Sequence, residues 1–450
     1  MSAKYPRAET SGLKKAQYLL GAKVAGGALL KLDRMKLARK LARPPKPGPF
    51  GPPLKSSAWL KELITGHYLK GRFASGARPV AWVTSGAPVE PLIALGFFPI
   101  YPENHGAVCG IRRSAEEICE EAESAGYSRD ICSYARTDIG SMLSGKTPVG
   151  RLPPPDLLVC CTNICQTVLL WYRVLAQHFG CPLVNIDTPF LYGEAQEHQI
   201  AFVEKQLEEL VRAAEEVSGN RLTEKKLHQV TRYSKQATEL WAQIIQMGRH
   251  RPAPITAFDQ FIHLAPIVEM RGEPFTVDYY GALLEELQER AAQGVGALKE
   301  EKIRLVWDNL PVWHKVRWLS EVLAESNATL VASTYTNAWG ELTEFIDPEN
   351  PMRSAALTYL HPILNRGTGH KLSLMKGMVE SFEADGVILH SDRSCKPYSI
   401  GQVDQRERLT KEAGVPALLL EADHNDPRAF SEEQSRARVE AFLEVVEAKA

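Results

Sequence analysis

Two stretches of the chain alternate short apolar runs with longer amphipathic ones, and the stretch between them carries the spacing of helices. In the first, Val80–Val83 predicts a strand, 88–95 a helix and 97–101 a strand. A helix over 114–124 follows, bearing Glu116, Glu117, Glu120, Glu121 and Glu123, and then strands at Leu157–Cys161 and Leu183–Ile186. In the second, strands are predicted at 303–307, 329–332, 387–389 and 417–421, with helices at 313–323 and 371–383. Ser431 stands as an N-cap before Glu432, Glu433 and Gln434 and opens a closing helix over 431–448. Strands separated by helices pair in parallel through crossover connections, which predicts an α/β fold of two doubly wound parallel-sheet domains whose strand ends face each other. Between them, 194–249 reads as helical, with Phe202, Leu207, Leu210 and Val211 on one stripe and Trp241, Ile244 and Ile245 on another.

The expected organisation is a helical arm and Pro-rich linker (1–75), a first α/β domain (76–193), a helical connecting region (194–300) and a second α/β domain (301–450). The first forty-odd residues are basic, opposed only by Glu9 and Asp33, and Leu30, Leu37 and Leu41 share a helical face that can pack on its own protein or on another subunit. Residues 43–53 are dense in proline, which blocks both helix and sheet pairing and marks a boundary.

Composition narrows the class further. With 450 residues, 44% hydrophobic and 24% charged, the chain can bury large cores, and a net charge of -1 gives no global attraction to nucleic acid or to a membrane surface. No apolar run approaches the length of a membrane span, and the first residues lack the apolar core of a signal peptide, so a cytoplasmic protein is expected. Eight unevenly spaced cysteines do not make a disulfide framework, which leaves reduced thiols or metal ligands.

Three of those cysteines share a setting. Cys395 follows the 387–389 strand, Cys165 follows Leu157–Cys161, and Cys132 opens a helical run, so each sits where the chain turns into a helix. There the macrodipole and free N–H groups favour a thiolate, and Arg393 and Lys396 flank Cys395 with the same sign. In parallel sheets, ligands bind at the carboxyl ends of the strands, which sets Cys165 and Cys395 on facing walls of one cleft. Three thiolates from separated segments can hold three irons of a 4Fe-4S cubane, against the plainer reading of three buried packing cysteines. Cys160 and Cys181 read as packing residues and Cys119 lies in the acidic helix, while Cys109, between Gly106 and Gly110, stays open as a supporting or alternative ligand. The run from Gly140 to Thr147 fits the P-loop letter for letter, but a helix precedes it and the prolines after it forbid the helix that would cradle phosphate.

The run Tyr101-Pro-Glu-Asn-His105, the three cysteines, the segment from Ser391 to Ser399 and Glu421-Ala-Asp-His-Asn-Asp-Pro-Arg428 together resemble the 2-hydroxyacyl-CoA dehydratase and benzoyl-CoA reductase superfamily. The similarity runs from about Pro79 to the C-terminus and is nearest to the B subunits of ATP-dependent benzoyl-CoA reductases. The resemblance implies two flavodoxin-like domains and a 4Fe-4S cluster on Cys132, Cys165 and Cys395, as a single or a double cubane. It also implies a homologous second subunit, an ATP-hydrolysing activator fed by a low-potential ferredoxin, and benzoyl-CoA as substrate. Reducing an aromatic thioester requires an electron donor, groups that offset negative charge and a positioned acid. Arg393 and Lys396 are the expected substrate-facing cations, and Glu103 and His105, in a loop after the 97–101 strand, the expected proton donors; His390 and His424 remain unranked. A radical 2-hydroxyacyl-CoA dehydratase subunit, or an electron-relay subunit whose partner holds the substrate, are the competing readings.

Overall fold

The computed structural model describes residues 5–43 and 47–449, so residues 44–46 of the Pro-rich linker lie outside the described residues. Among the described residues, eight strands form two sheets of four, with every pairing within them parallel. The first holds β1 (Val80–Val83), β2 (Phe98–Ile100), β3 (Leu157–Cys161) and β4 (Leu183–Ile186) in the order β2-β1-β3-β4. The second holds β5 (Ile303–Asp308), β6 (Ala328–Ser333), β7 (Gly386–Asp392) and β8 (Ala417–Ala422) in the order β6-β5-β7-β8. The topology is the same in both, consistent with two flavodoxin-like units. In each sheet the order reverses between the first and third strands, and the connections leaving their carboxyl ends diverge there to leave a crevice.

Helices cover both faces, so β1, β3, β5 and β6 are buried along their whole length and read as continuous apolar runs rather than alternating ones. β2 is an edge strand, which tolerates Pro99 because its missing N–H faces no ladder partner. β7 runs three residues beyond the expected Leu389, since His390, Ser391 and Asp392 pair with Leu420, Glu421 and Ala422 of β8. Ladder pairing overrides their polarity and carries a buried histidine and carboxylate up to the turn before Cys395.

Two expectations change here. Residues 102–111 form a helix, not a loop: Pro102 takes the first helical position, where its missing N–H costs nothing, so Glu103 and His105 are helical residues. In the connecting region the buried stripe of Glu197–Ser218 is Ile200, Val203, Leu207, Leu210 and Ala214, while Phe202 is 47% exposed. The following helix, Glu224–Gln246, buries Trp241, Ile244 and Ile245 as expected. The P-loop match falls inside and just after the helix Ser133–Ser144. Gly140 packs so closely on Ile118 that an added Cβ would lie 1.9 Å from its carbonyl oxygen, and Lys146 bonds Glu121 at 2.8 Å.

The arm is helical from Gly12 to Leu41, with a π-helical stretch at Tyr18–Ala25. Leu30, Leu37 and Leu41 are half-buried, and Arg34 pairs with Glu62 at 3.1 Å on the helix Ser57–Arg72, so the expected face packs on its own protein. The other face leaves Leu13, Leu20, Val24 and Leu29 between 63% and 70% exposed.

The two α/β units are clamped by buried charge. Arg136, in the first unit, donates from Nη1 to Asp426 Oδ2 of the second at 2.8 Å and to Glu123 Oε1 at 2.6 Å. Removing one member of a buried ion network strands the others, so Arg136→Met is expected to lower stability by about 3 kcal/mol, read as a shifted denaturant midpoint. A cost near zero would show that Arg428, which also bonds Asp426 and Glu123, carries the clamp alone.

Candidate active site

A cavity of about 230 Å³ lies between the units and is lined from the connections that follow all eight strands. Ser85 and Gly86 come from the end of β1, Glu103 from after β2, Cys165 from after β3, Trp313 from after β5, Tyr335 from after β6, Cys395 from after β7 and His424 from after β8. The short helices Ala257–His263 and Ala265–Glu269 close one side with Phe261, Leu264, Val268 and Glu269.

Cys132, Cys165 and Cys395 are all on this wall, and none is in a disulfide. Cys132 is the N-cap of Ser133–Ser144, Cys395 the N-cap of the short helix Lys396–Ser399, and Cys165 stands two residues before Thr167–Phe179. Burial pushes the Cys165 thiol up to about 11, with Cys132 adding to the rise and the N–H groups of Val168 and Thr167 opposing it. Burial likewise drives Cys395 well up, helped by Asp392, Cys132 and Cys165 and opposed by the N–H of Tyr398. Cys165 and Cys395 therefore each sit in the field of the neighbouring thiols, where a free thiolate is costly. A soft metal group relieves that cost by taking the protons' place, so three sulfur donors on an apolar wall fit an iron-sulfur group and not an oxygen-loving cation. Cys109 does not join them, since it is buried within its helix with its sulfur 3.6 Å from His105 Nε2.

A polar lattice holds two of the cysteine turns in register. Ser133, next to Cys132, donates its N–H to Oγ of Ser394, next to Cys395, at 3.1 Å. Ser394 Oγ in turn donates to Asp423 Oδ2 at 2.6 Å, and its N–H bonds Asp392 Oδ1 at 3.2 Å. His424 links the rest: Nδ1 donates to Asp392 Oδ2 at 2.7 Å, and Nε2 lies 2.9 Å from Ser133 Oγ and 3.9 Å from Cys132 Sγ. Burial works against charge on this ring, but Asp392 and Asp423 outweigh it and raise its pKa well above the ordinary histidine value. The imidazolium so favoured directs an N–H toward the Ser133 and Cys132 side. The order of residues in the chain gave no sign of this lattice, because its members come from three separate turns.

The other anticipated residues divide. Glu103 lines the cavity, accepts the Ser85 N–H on Oε1 at 3.2 Å and leaves Oε2 without a partner. Burial raises its carboxyl to about 7 against the pull of the Glu103 and Ser85 N–H groups, so it is substantially protonated near neutral pH. His105 does not face the cavity: its Nε2 pairs with Thr147 Oγ1 at 2.8 Å, and burial pushes it down to about 4, which leaves it neutral and unsuited to donate a proton. Arg393 and Lys396 are not on the wall either. Arg393 is solvent-exposed and paired with Glu421 at 3.0 Å, and Lys396 Nζ turns back to the carbonyl of Arg393. Sequence neighbours of a buried thiol need not share its direction, and charged side chains on a surface turn reach for water. His390 bonds the Leu310 carbonyl at 2.6 Å and is also off the wall, whereas His424 is on it.

Glu269 is the residue that sequence reasoning missed. It lines the same cavity, is 3% exposed, accepts from Tyr68 Oη on Oε1 at 2.9 Å and leaves Oε2 unpartnered. Burial raises it to about 7, against the hydrogen bonds of Tyr68 and Asn104. Apart from these acids the wall is mainly aliphatic and aromatic, and among the described residues it includes no lysine or arginine. Such a chamber suits an apolar ligand and offers protonated carboxyls in place of lysine or arginine.

Comparison with known proteins agrees on the family. Residues 84–446 match the model of the 2-hydroxyglutaryl-CoA dehydratase D-component. The chain is 33% identical to the (R)-2-hydroxyisocaproyl-CoA dehydratase alpha subunit of Clostridioides difficile, over 82% of this chain and 90% of that one. It is 31% identical to the B subunit of the benzoyl-CoA reductase of Thauera aromatica, over 86% and 94% respectively. Against the (R)-phenyllactyl-CoA dehydratase alpha subunit of Clostridium sporogenes it is 30% identical, over 82% and 90%. With the match covering every strand after β1 and all three cysteine turns, the chain belongs to the 2-hydroxyglutaryl-CoA dehydratase D-component family, in the superfamily that also holds the B subunit of benzoyl-CoA reductase.

Proposed function

We propose that this chain is a catalytic subunit of an ATP-dependent benzoyl-CoA reductase, in which Cys132, Cys165 and Cys395 hold a 4Fe-4S cluster beside the substrate's ring. The observation that carries the reading is the convergence of three thiols, from three separate elements, on one apolar cavity that also exposes a protonated carboxyl. When bound, the cluster supplies single electrons at low potential. The protein supplies the rest. Trp313, Tyr335 and Phe261 give the ring an aromatic bed, the mainly apolar wall disfavours water, and Glu103 keeps a proton on the oxygen that no other group claims. A neutral acid also avoids repelling the negative charge that ring reduction builds, which a carboxylate would not.

The relatives are named as alpha or B subunits, which supports a second subunit. The reductase reading adds an ATP-hydrolysing activator and a low-potential ferredoxin upstream. The exposed leucines of the arm offer a surface for that assembly. A second reading, a dehydratase of an apolar 2-hydroxyacyl-CoA, has the 33% and 30% identities to dehydratase subunits in its favour.

A substrate panel separates these readings. With partner, activator, ATP and reductant, benzoyl-CoA is expected to be consumed with formation of a cyclic dienoyl-CoA. A 2-hydroxyglutaryl-CoA is expected to be refused, because its distal carboxylate would be buried against a mainly apolar wall with, among the described residues, no lysine or arginine to pair it. Turnover of phenyllactyl- or hydroxyisocaproyl-CoA with benzoyl-CoA untouched would select the dehydratase.

A further inference from the structure

Ring reduction consumes two electrons and two protons, and Glu103 can supply one of those protons in each turnover. The cavity holds a second group built like the first. Glu103 and Glu269 come from different parts of the fold, the helix after β2 and the helical connecting region, yet both line the same chamber. Each has one oxygen anchored, by the Ser85 N–H and by Tyr68 Oη respectively, and each leaves Oε2 buried with no hydrogen-bond partner. A buried carboxyl oxygen that nothing satisfies is costly unless a ligand meets it or it carries a proton. Two such oxygens on one apolar wall call for a ligand that takes two protons.

We propose that Glu269 is a second proton donor to the bound acyl group, so that Glu103 and Glu269 each deliver one of the two protons of ring reduction. This rests on the reductase reading. In each step an electron from the reductant and a proton from one carboxyl end as a C–H bond at a ring carbon. The carboxylate left behind is reprotonated from solvent before the next turnover. Tyr68 Oη bonds Glu269 directly, the nearby Asn104 amide works against the rise in its pKa, and Tyr101 lies within its electrostatic reach. Arg271, two residues along, turns away to Glu90 and Tyr359. No described lysine, arginine or histidine contributes to the shift of Glu269, whose carboxyl stays protonated to about 7 because it is buried.

The test uses Glu269→Gln in the complete complex. Gln keeps the shape and can still accept from Tyr68, so iron content and benzoyl-CoA binding by equilibrium dialysis are expected to be unchanged. The maximal rate should fall by about a hundredfold or more. Glu269→Asp, which restores an acid, should recover part of that loss. Infrared difference spectra of the chain without substrate should show a protonated-carboxyl band near neutral pH that is reduced in Glu269→Gln. A variant that binds benzoyl-CoA and reduces it at the wild-type rate overturns the second-donor role and leaves the reductase reading standing. A wild-type complex that does not reduce benzoyl-CoA overturns both. A Glu269→Asp variant no faster than Glu269→Gln, or a carboxyl band unaffected by Glu269→Gln, overturns the acid role as well.

Discussion

Cys132→Ser, Cys165→Ser and Cys395→Ser are each expected to strip the cluster from this chain, taking iron from about four atoms per chain to near none in anaerobic preparations. The three sulfurs are contributed by separate helix starts, so no neighbouring cysteine stands ready to replace a lost one. Cys109→Ser should keep its iron, because that sulfur lies inside its helix against His105 and not on the cavity wall. Cys181→Ser should keep it too, since that residue is likewise absent from the wall. The check is iron and acid-labile sulfide per chain together with visible absorbance. Retained iron in all three serine variants would mean that the thiols are packing residues. A side-chain oxygen is a poor substitute for a thiolate on iron, so partial retention in one variant would rank the three ligands rather than remove them.

Glu103→Gln is expected to slow turnover by roughly a hundredfold or more while leaving the iron in place, the size of loss that removing a general acid brings. The acid acts in its protonated form, and burial holds it there up to about 7, so the wild-type rate should decline as pH rises through that value. In the Gln variant that limb of the profile should flatten. His105→Gln provides the contrast. Its ring is buried against Thr147 and outside the cavity, so any effect should appear in stability and not in the pH profile. A flat profile in the wild type, or an undiminished rate in Glu103→Gln, would move proton delivery elsewhere in the cavity.

Much of this architecture was legible because parallel strands buried on both faces leave long apolar runs between helix-spaced segments. Leu157–Cys161 and Leu183–Ile186 fall where the pattern places them. The strand-thiol-helix recurrence around Cys165 and Cys395 was visible for the same reason, and the equal topology of the sheets explains it: both follow the third strand of their sheet. Direction was what the sequence concealed. Arg393 and Lys396 adjoin Cys395 along the chain yet turn to solvent, and the histidine next in the Glu103 motif points into its own helix packing. Pro102 at a first helical position was the available signal for the missed helix. Glu269 left no comparable sign, since an acid at the end of a short apolar helix reads as a solvated terminus until Tyr68 and the helix Ser57–Arg72 pack against it.

A reductase differs from a dehydratase in net electron transfer to the substrate. Reductant oxidised per benzoyl-CoA consumed, followed at steady state in the anaerobic complex with activator and ATP, measures that directly. Ring reduction requires two electrons for every dienoyl-CoA formed, sustained for as long as substrate lasts. Turnover of an acyl-CoA after a priming dose of reductant, with no continuing oxidation of the donor, would contradict it and leave a dehydratase.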